Sequence, residues 1–348
     1  MSEAKKKDGL SWGFLIHLGM HMWGDAPLDR AKFDPRESYR YADTNLKLRC
    51  QDAVWRECVD KLAAGGIDTL IIDVGEGVVY PSHPELAIEG SWTPDKLRDE
   101  VRRLRALGVE AIPKLNFSTT HDAWLKEYGH MVSTPEYYKV CSDLIGDLME
   151  IFDHPRLFHI GMEEEYTAKM QRGMSYVCLR QGELWWHDFY FLVKEVEKRG
   201  ARAWAWNDLA DFRDRLPEMY AKMPKSVLQS PCFYGLAEDF DKPFKYDHER
   251  KRLEFIVELD RHGYDLFPTG TTWCPAYYAK GENNDTNISR LAKFCVKRLS
   301  QERLKGVMMS PWVATSPPHR EKLRKAIDFT IAARNDHIRL ASSIPKVS

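Results

Sequence analysis

Three consecutive glutamates, Glu163-Glu164-Glu165, follow a short apolar run, Leu157-Phe-His-Ile-Gly-Met162, and nowhere else in the chain do three acids stand in a row. Adjacent carboxyls repel one another when ionised, so each raises the pKa of its neighbour and one of them can hold a proton for transfer. Other carboxylates also follow short apolar runs: Asp73 and Glu76 after Thr69-Leu-Ile-Ile, and Asn207-Asp208 after Ala201-Arg-Ala-Trp-Ala-Trp206. The segment Ile112-Pro-Lys-Leu-Asn-Phe adds Lys114 and Asn116, with His121 and Asp122 just beyond. His17, His21 and Asp25 lie in and after the first apolar run. Each has a plainer reading. The glutamates suit a helix N-terminus, Asp208 suits a helix cap, and single histidines are commonly satisfied core or loop residues. Asp73 is the stronger site candidate, because burying a lone carboxylate is costly.

The later part of the chain supplies aromatics instead of acids: Tyr234, Trp273, Tyr277, Tyr278 and Trp312, with Trp204 and Trp206 before them. Eleven tryptophans in 348 residues is a high count. Flat rings beside hydrogen-bonding carboxylates suit a sugar, whose C–H faces are apolar and whose rim is polar. Trp204 and Trp206 share one face of an alternating strand, so the deeper Trp204 is equally a barrel-core residue. Cleavage of a glycosidic bond needs an acid of raised pKa beside a second carboxyl or a substrate group that stabilises the cationic transition state. Glu163 and Glu164 meet that need.

These residues must be positioned by a repeating framework. Strand patterns occur at 13–22, 69–74, 109–117, 157–162, 201–206, 226–230, 265–271 and 306–312. Helical patterns follow at 50–64, 94–107, 135–152, 182–198, 211–221, 249–261, 288–300 and 318–333. Strands that alternate with helices pair in parallel. Eight such units predict an α/β fold, a single-domain (β/α)8 TIM barrel over about 12–334 of residues 1–348. A doubly wound sheet is disfavoured, because no Gly-x-Gly-x-x-Gly turn follows the first strand. In the barrel every candidate above falls at the C-terminal end of a strand, where such folds carry their sites.

Composition narrows the partners. Lys+Arg 51 against Asp+Glu 52 leaves a net charge of −1, so no global field attracts nucleic acid. No apolar run reaches the ~18–20 residues of a membrane span. Seven scattered cysteines without a Cys-x-x-Cys pair point to reduced thiols, with no metal cluster and no cofactor expected. The stretch after Lys5-Lys6-Lys7 imitates a signal peptide but lacks a small-x-small cleavage site and reads better as the first strand. Localisation stays open, cytoplasmic as the chain reads and exported if a leader has been removed, and so does the oligomeric state.

Four segments together carry a family resemblance. His159-Ile-Gly-Met-Glu-Glu-Glu165 resembles the His-x-Gly-Gly-Asp-Glu motif of family 20 glycoside hydrolases, the β-N-acetylhexosaminidases. Ile112-Pro-Lys-Leu-Asn-Phe-Ser-Thr-Thr-His121 is similar to that family's Ile-Pro-Glu-Ile-Asp-x-Pro-Gly-His segment. Ala205-Trp206-Asn207-Asp208 is similar to its Gly-Trp-Asp-Glu element, and Ser310-Pro-Trp312 falls where the family places a pocket tryptophan. The matches occur in order, on the expected strands, between about 109 and 312.

The resemblance implies a glycoside hydrolase acting on a hexosaminide or related glycoside. Glu164 would be the general acid, and Glu163 would orient a substrate 2-acetamido group that attacks the anomeric carbon. Trp206, Trp273 and Trp312 would wall the pocket, and Tyr234 or Tyr277 would bond the acetamido group. His17, Asp73, Asn116 and His121 complete the expected sugar-binding set, with Asp208 a further catalytic carboxylate. The chain departs from the pattern where Glu163 stands for aspartate, where Thr119-Thr120-His121 stands for Pro-Gly-His, and where His17 or His21 occupies the region of a strand-one arginine. Two other readings stand beside this one: a metal-dependent barrel hydrolase or isomerase using His17, His21, Asp73 and Glu163, and a carbohydrate-binding barrel without catalysis.

Overall fold

The computed structural model describes residues 9–24, 47–165, 176–236, 244–274 and 283–343. Eight strands run in chain order as β1 Ser11–His17, β2 Thr69–Asp73, β3 Glu110–Lys114, β4 Leu157–His159, β5 Arg202–Asn207, β6 Leu228–Pro231, β7 Thr269–Gly270 and β8 Gly306–Met309. Their order in the sheet is β6-β5-β4-β3-β2-β1-β8-β7, and every pairing is parallel. Isolated parallel bridges, Gln229 to Leu266 and Cys232 to Thr269, join the two outer strands and complete the circuit. The chain is a (β/α)8 barrel.

Strands of such a barrel are covered by helices outside and packed inside, so they read as continuous apolar runs. All residues of β1 and β2 are buried. The helices α1 Asp52–Ala64, α2 Pro94–Ala106, α3 Pro135–Ile151, α4 Glu183–Glu197, α5 Leu216–Lys222, α6 Asp247–Arg261, α7 Asn287–Arg298 and α8 Arg320–Ser343 form the outer layer. Local chemistry sets their starts. Thr93 and Thr134 accept backbone N–H bonds from Lys96 and Tyr137, and proline fills the first helical position of α2 and α3. The barrel floor holds Trp204 against Phe267, ring centroids 4.7 Å apart. Phe267 forces glycine at the start of β8: a Cβ on Gly306 would lie 2.4 Å from its ring.

Several elements differ from their expected bounds, and β3, β7 and β8 are each shorter than their patterns. The first strand stops at His17, because Leu18 and Gly19 turn to bond the Asp73 carbonyl. The fourth stops at His159, where Gly161 and Met162 take positive φ. Residues 209–215 form two short 3-10 turns before α5, so the fifth helix is shorter than its pattern. The last helix continues to Ser343 and lays His337 against Trp12, centroids 5.9 Å apart.

Candidate active site at the barrel mouth

The ends of β1, β2 and β3 place His17, Asp73 and Lys114 side by side in register. Asp73 Oδ2 lies 2.8 Å from Lys114 Nζ and 3.2 Å from His17 Nδ1, all deeply buried. Burial pushes the Asp73 carboxyl up, but the Lys114 ammonium and His17 outweigh it and hold it below the usual carboxylate range. His159 sits opposite Lys114 on β4. Burial, aided by the Lys114 charge, lowers its pKa well below the ordinary value, so the ring is neutral. The Gly161 N–H donates to its Nδ1 at 3.1 Å, which leaves the proton on Nε2.

Beyond His159 the backbone leaves the strand in three left-handed steps: Gly161 at φ 73°, Met162 at φ 67° and Glu164 at φ 58°. Such conformations cost about 1–3 kcal/mol each for non-glycine residues and cluster at functional sites. Their effect here is to send three successive carboxyls in three directions. Glu163 is buried, with Oε1 accepting from Asn116 Nδ2 at 2.9 Å and Oε2 without a hydrogen-bond partner among the described residues. Burial raises its pKa well above the carboxylate range; the Glu164 and Asp208 charges add to the rise, and Lys114 and Asn116 offset it only in part. Glu164 turns outward, its side chain 37% exposed, with Oε2 3.4 Å from His121 Nε2. His121 is fixed in turn by Thr120, whose hydroxyl lies 2.8 Å from Nδ1. Glu165 points back into the protein to accept from the Thr119 N–H and pair with Arg180, which also pairs with Asp188 at 3.0 Å.

The aromatic wall forms a connected chain of rings. Trp206 contacts His159 at 4.5 Å and Trp312 at 5.7 Å between centroids. Trp312 contacts His17 and donates its indole N–H to the Tyr234 hydroxyl at 3.0 Å, and Tyr234 contacts Trp273. Trp312 is itself held at φ 52°. Trp204 belongs to the barrel floor, as its alternative reading allowed. Tyr277 lies outside the described residues, as do Tyr278 and Asp25.

A cleft opens beside the carboxylates and is lined by Glu163, Glu164, Trp206 and Asp208 among the expected residues. Asn116 and His121 adjoin it through their bonds to Glu163 and Glu164, and Tyr234 and Trp312 adjoin it through Trp206. His17 and Asp73 are not on its lining; they form the buried floor cluster with Lys114. Asp208 precedes a short 3-10 turn without capping it. Glu76 is committed elsewhere, accepting the backbone N–H groups of Met20 and His21. His21 faces the Lys47 carbonyl at 3.1 Å and lies 3.9 Å from the Glu76 carboxyl. No group of three His, Cys, Asp or Glu side chains arranged for a metal occurs among the described residues. Sequence reasoning missed Arg180, which anchors Glu165, and the cleft wall formed by Trp185, Trp186, Met219 and Met223. The adjacent tryptophans of α4 were the available signal for that wall; Arg180 carried none.

No protein-family model matches the sequence, and no curated protein does. Among solved structures the fold is similar to a β-N-acetylhexosaminidase from Bacteroides fragilis, with a TM-score of 0.58 at 12% identity, covering 92% of this chain and 65% of that one. Dispersin B gives 0.55 at 12%, covering 93% and 99%. A family 20 exo-β-N-acetylglucosaminidase from Vibrio harveyi gives 0.53 at 13%, covering 96% of this chain and 58% of that one. The chain thus spans less than two thirds of the Vibrio and Bacteroides enzymes. Barrels of glycoside hydrolase families 138 and 5 are similar as well. The chain resembles the family 20 catalytic barrel in fold, at low sequence identity.

Proposed function

We propose that the protein is a glycoside hydrolase acting on a hexosaminide or related glycoside, with Glu164 as general acid. The observation that carries the reading is the row Asn116–Glu163–Glu164–His121, with Trp206 beside it, at the C-terminal ends of adjacent barrel strands. Glu164 has the exposure an acid needs to reach a leaving-group oxygen, and His121 holds its carboxyl from the far side. Glu163 is the orienting carboxyl. A substrate amide N–H placed at its unpartnered Oε2 supplies the hydrogen bond that the fold leaves out and draws the carboxyl towards its ionised form. Trp206, Trp312, Trp273 and Tyr234 offer the apolar faces and the hydroxyl for the sugar and its acetamido group. Lys114, His17 and Asp73 form a buried ion-paired cluster at the strand ends next to these groups.

The test is a rate assay of wild type and Glu164→Gln on aryl glycosides with and without the 2-acetamido group. The expected outcome is turnover confined to N-acetyl substrates, falling about 10²–10⁴-fold in the variant. An unchanged rate in Glu164→Gln removes it as the acid. Turnover only on substrates lacking the acetamido group moves the second carboxyl to Asp208 or Asp73.

A further inference from the structure

The cleft does more than expose the carboxylates. From Glu163 and Glu164 it runs sideways between the start of α4 and the short α5, past Gln181, Trp185, Trp186, Leu209, Met219 and Met223. No sugar-contacting role has been given to any of these side chains. Most polar groups of this branch are occupied, the exposed Gln181 amide at its edge excepted. Arg180 is spent on Glu165 and Asp188, Glu218 accepts the Trp186 indole N–H at 3.1 Å and pairs with Lys222, and Asn207 donates to Gln229. Apart from that amide, what remains free to contact a guest is thioether, isobutyl and indole surface, with two methionines that adapt to irregular shapes.

A second sugar in this branch would need partners for its hydroxyls and find few. We infer that it is the leaving-group subsite and that it takes an apolar aglycone, an alkyl or aryl group carried on the sugar, in preference to another sugar. Its geometry fits that role, because the branch begins at Glu164, the side chain proposed to protonate the oxygen between sugar and leaving group. The inference rests on the glycosidase reading for its biological meaning, but the pocket itself is testable without turnover.

The experiment compares octyl and methyl β-glycosides of the same sugar, whose alkoxide leaving groups are chemically alike, so a difference in kcat/KM reports binding of the chain. Calorimetric titration with free 4-methylumbelliferone measures occupancy independently. In wild type the octyl glycoside is expected to be cleaved with at least tenfold higher kcat/KM, and the free aglycone to bind. Met223→Trp, which fills the branch, and Trp185→Ala, which removes one wall, should each cut the octyl preference and the aglycone affinity severalfold, with thermal melts showing that each variant folds. Equal kcat/KM for octyl and methyl substrates, or aglycone binding untouched by both variants, overturns the inference. Aglycone binding that responds to both variants in a protein that cleaves no glycoside upholds the pocket and sinks the hydrolase reading instead.

Discussion

Glu163 is a carboxyl the fold keeps at a cost. Its folded pKa is raised, so the folded state holds a proton that the unfolded chain releases once the pH passes the ordinary carboxylate range. Stability then falls as pH rises through the window between those two values, because the native state binds more protons there. Glu163→Gln removes the penalty while keeping the Asn116 contact sterically possible. Thermal melts from pH 5 to 9 should show the variant's Tm equal or higher than wild type at the alkaline end, with a flatter pH dependence; a lower Tm there would contradict the assignment. The sequence announced this residue through its acidic neighbour Glu164, since like-charge repulsion is a local property of adjacent acids, and through the resemblance of its motif to that of family 20. It did not announce that the three glutamates diverge. That depends on left-handed backbone at Met162 and Glu164, which no side-chain type in the run signals. Asp73 was legible as costly to bury, but its ion pair with Lys114 needed the register of β2 and β3.

At the scale of elements, the exit from β4 is the part on which the site turns. Gly161 sits at φ 73°, and a Cβ there would lie 2.2 Å from Asn116 Oδ1. Gly161→Ala is expected to displace Asn116 from Glu163 and to reduce turnover by at least tenfold, with a smaller loss of stability; steady-state kinetics beside thermal melts separates the two. The next element along is tied down by Arg180, wholly buried between Glu165 and Asp188. Arg180→Met leaves two buried carboxylates without their cation, and breaking such a pair costs about 3–5 kcal/mol. Urea denaturation should show that loss. The helices and strands themselves were readable from apolar periodicity and from Thr-Pro starts such as Thr93-Pro94. The ends were less so, because β1 and β4 stop where loop hydrogen bonds and positive φ values take over, and α5 yields its first residues to 3-10 turns.

For the molecule as a whole, the strand–helix alternation sufficed to give the barrel, since parallel strands joined by helical crossovers have few ways to close. The quality of the closure was not legible. β1 and β2 share five register pairs from Gly13–Thr69 to His17–Asp73, whereas β6 and β7 meet only through isolated bridges. Native-state hydrogen exchange should find the amides of Ile71 and Ile72 among the slowest and those of Gln229 and Phe233 markedly faster; equal protection would refute a weak seam. Around the barrel from that seam, beyond β8, Trp12 and His337 bring the first strand and the last helix into contact. A circular permutant is therefore within reach: β1 and α8 joined by a short linker, with new ends cut between β6 and β7, where fewest ladder bonds are lost. Such a chain would begin and end beside the aromatic wall, so that the order of synthesis changes while the carboxylates of β4 and β5 keep their neighbours.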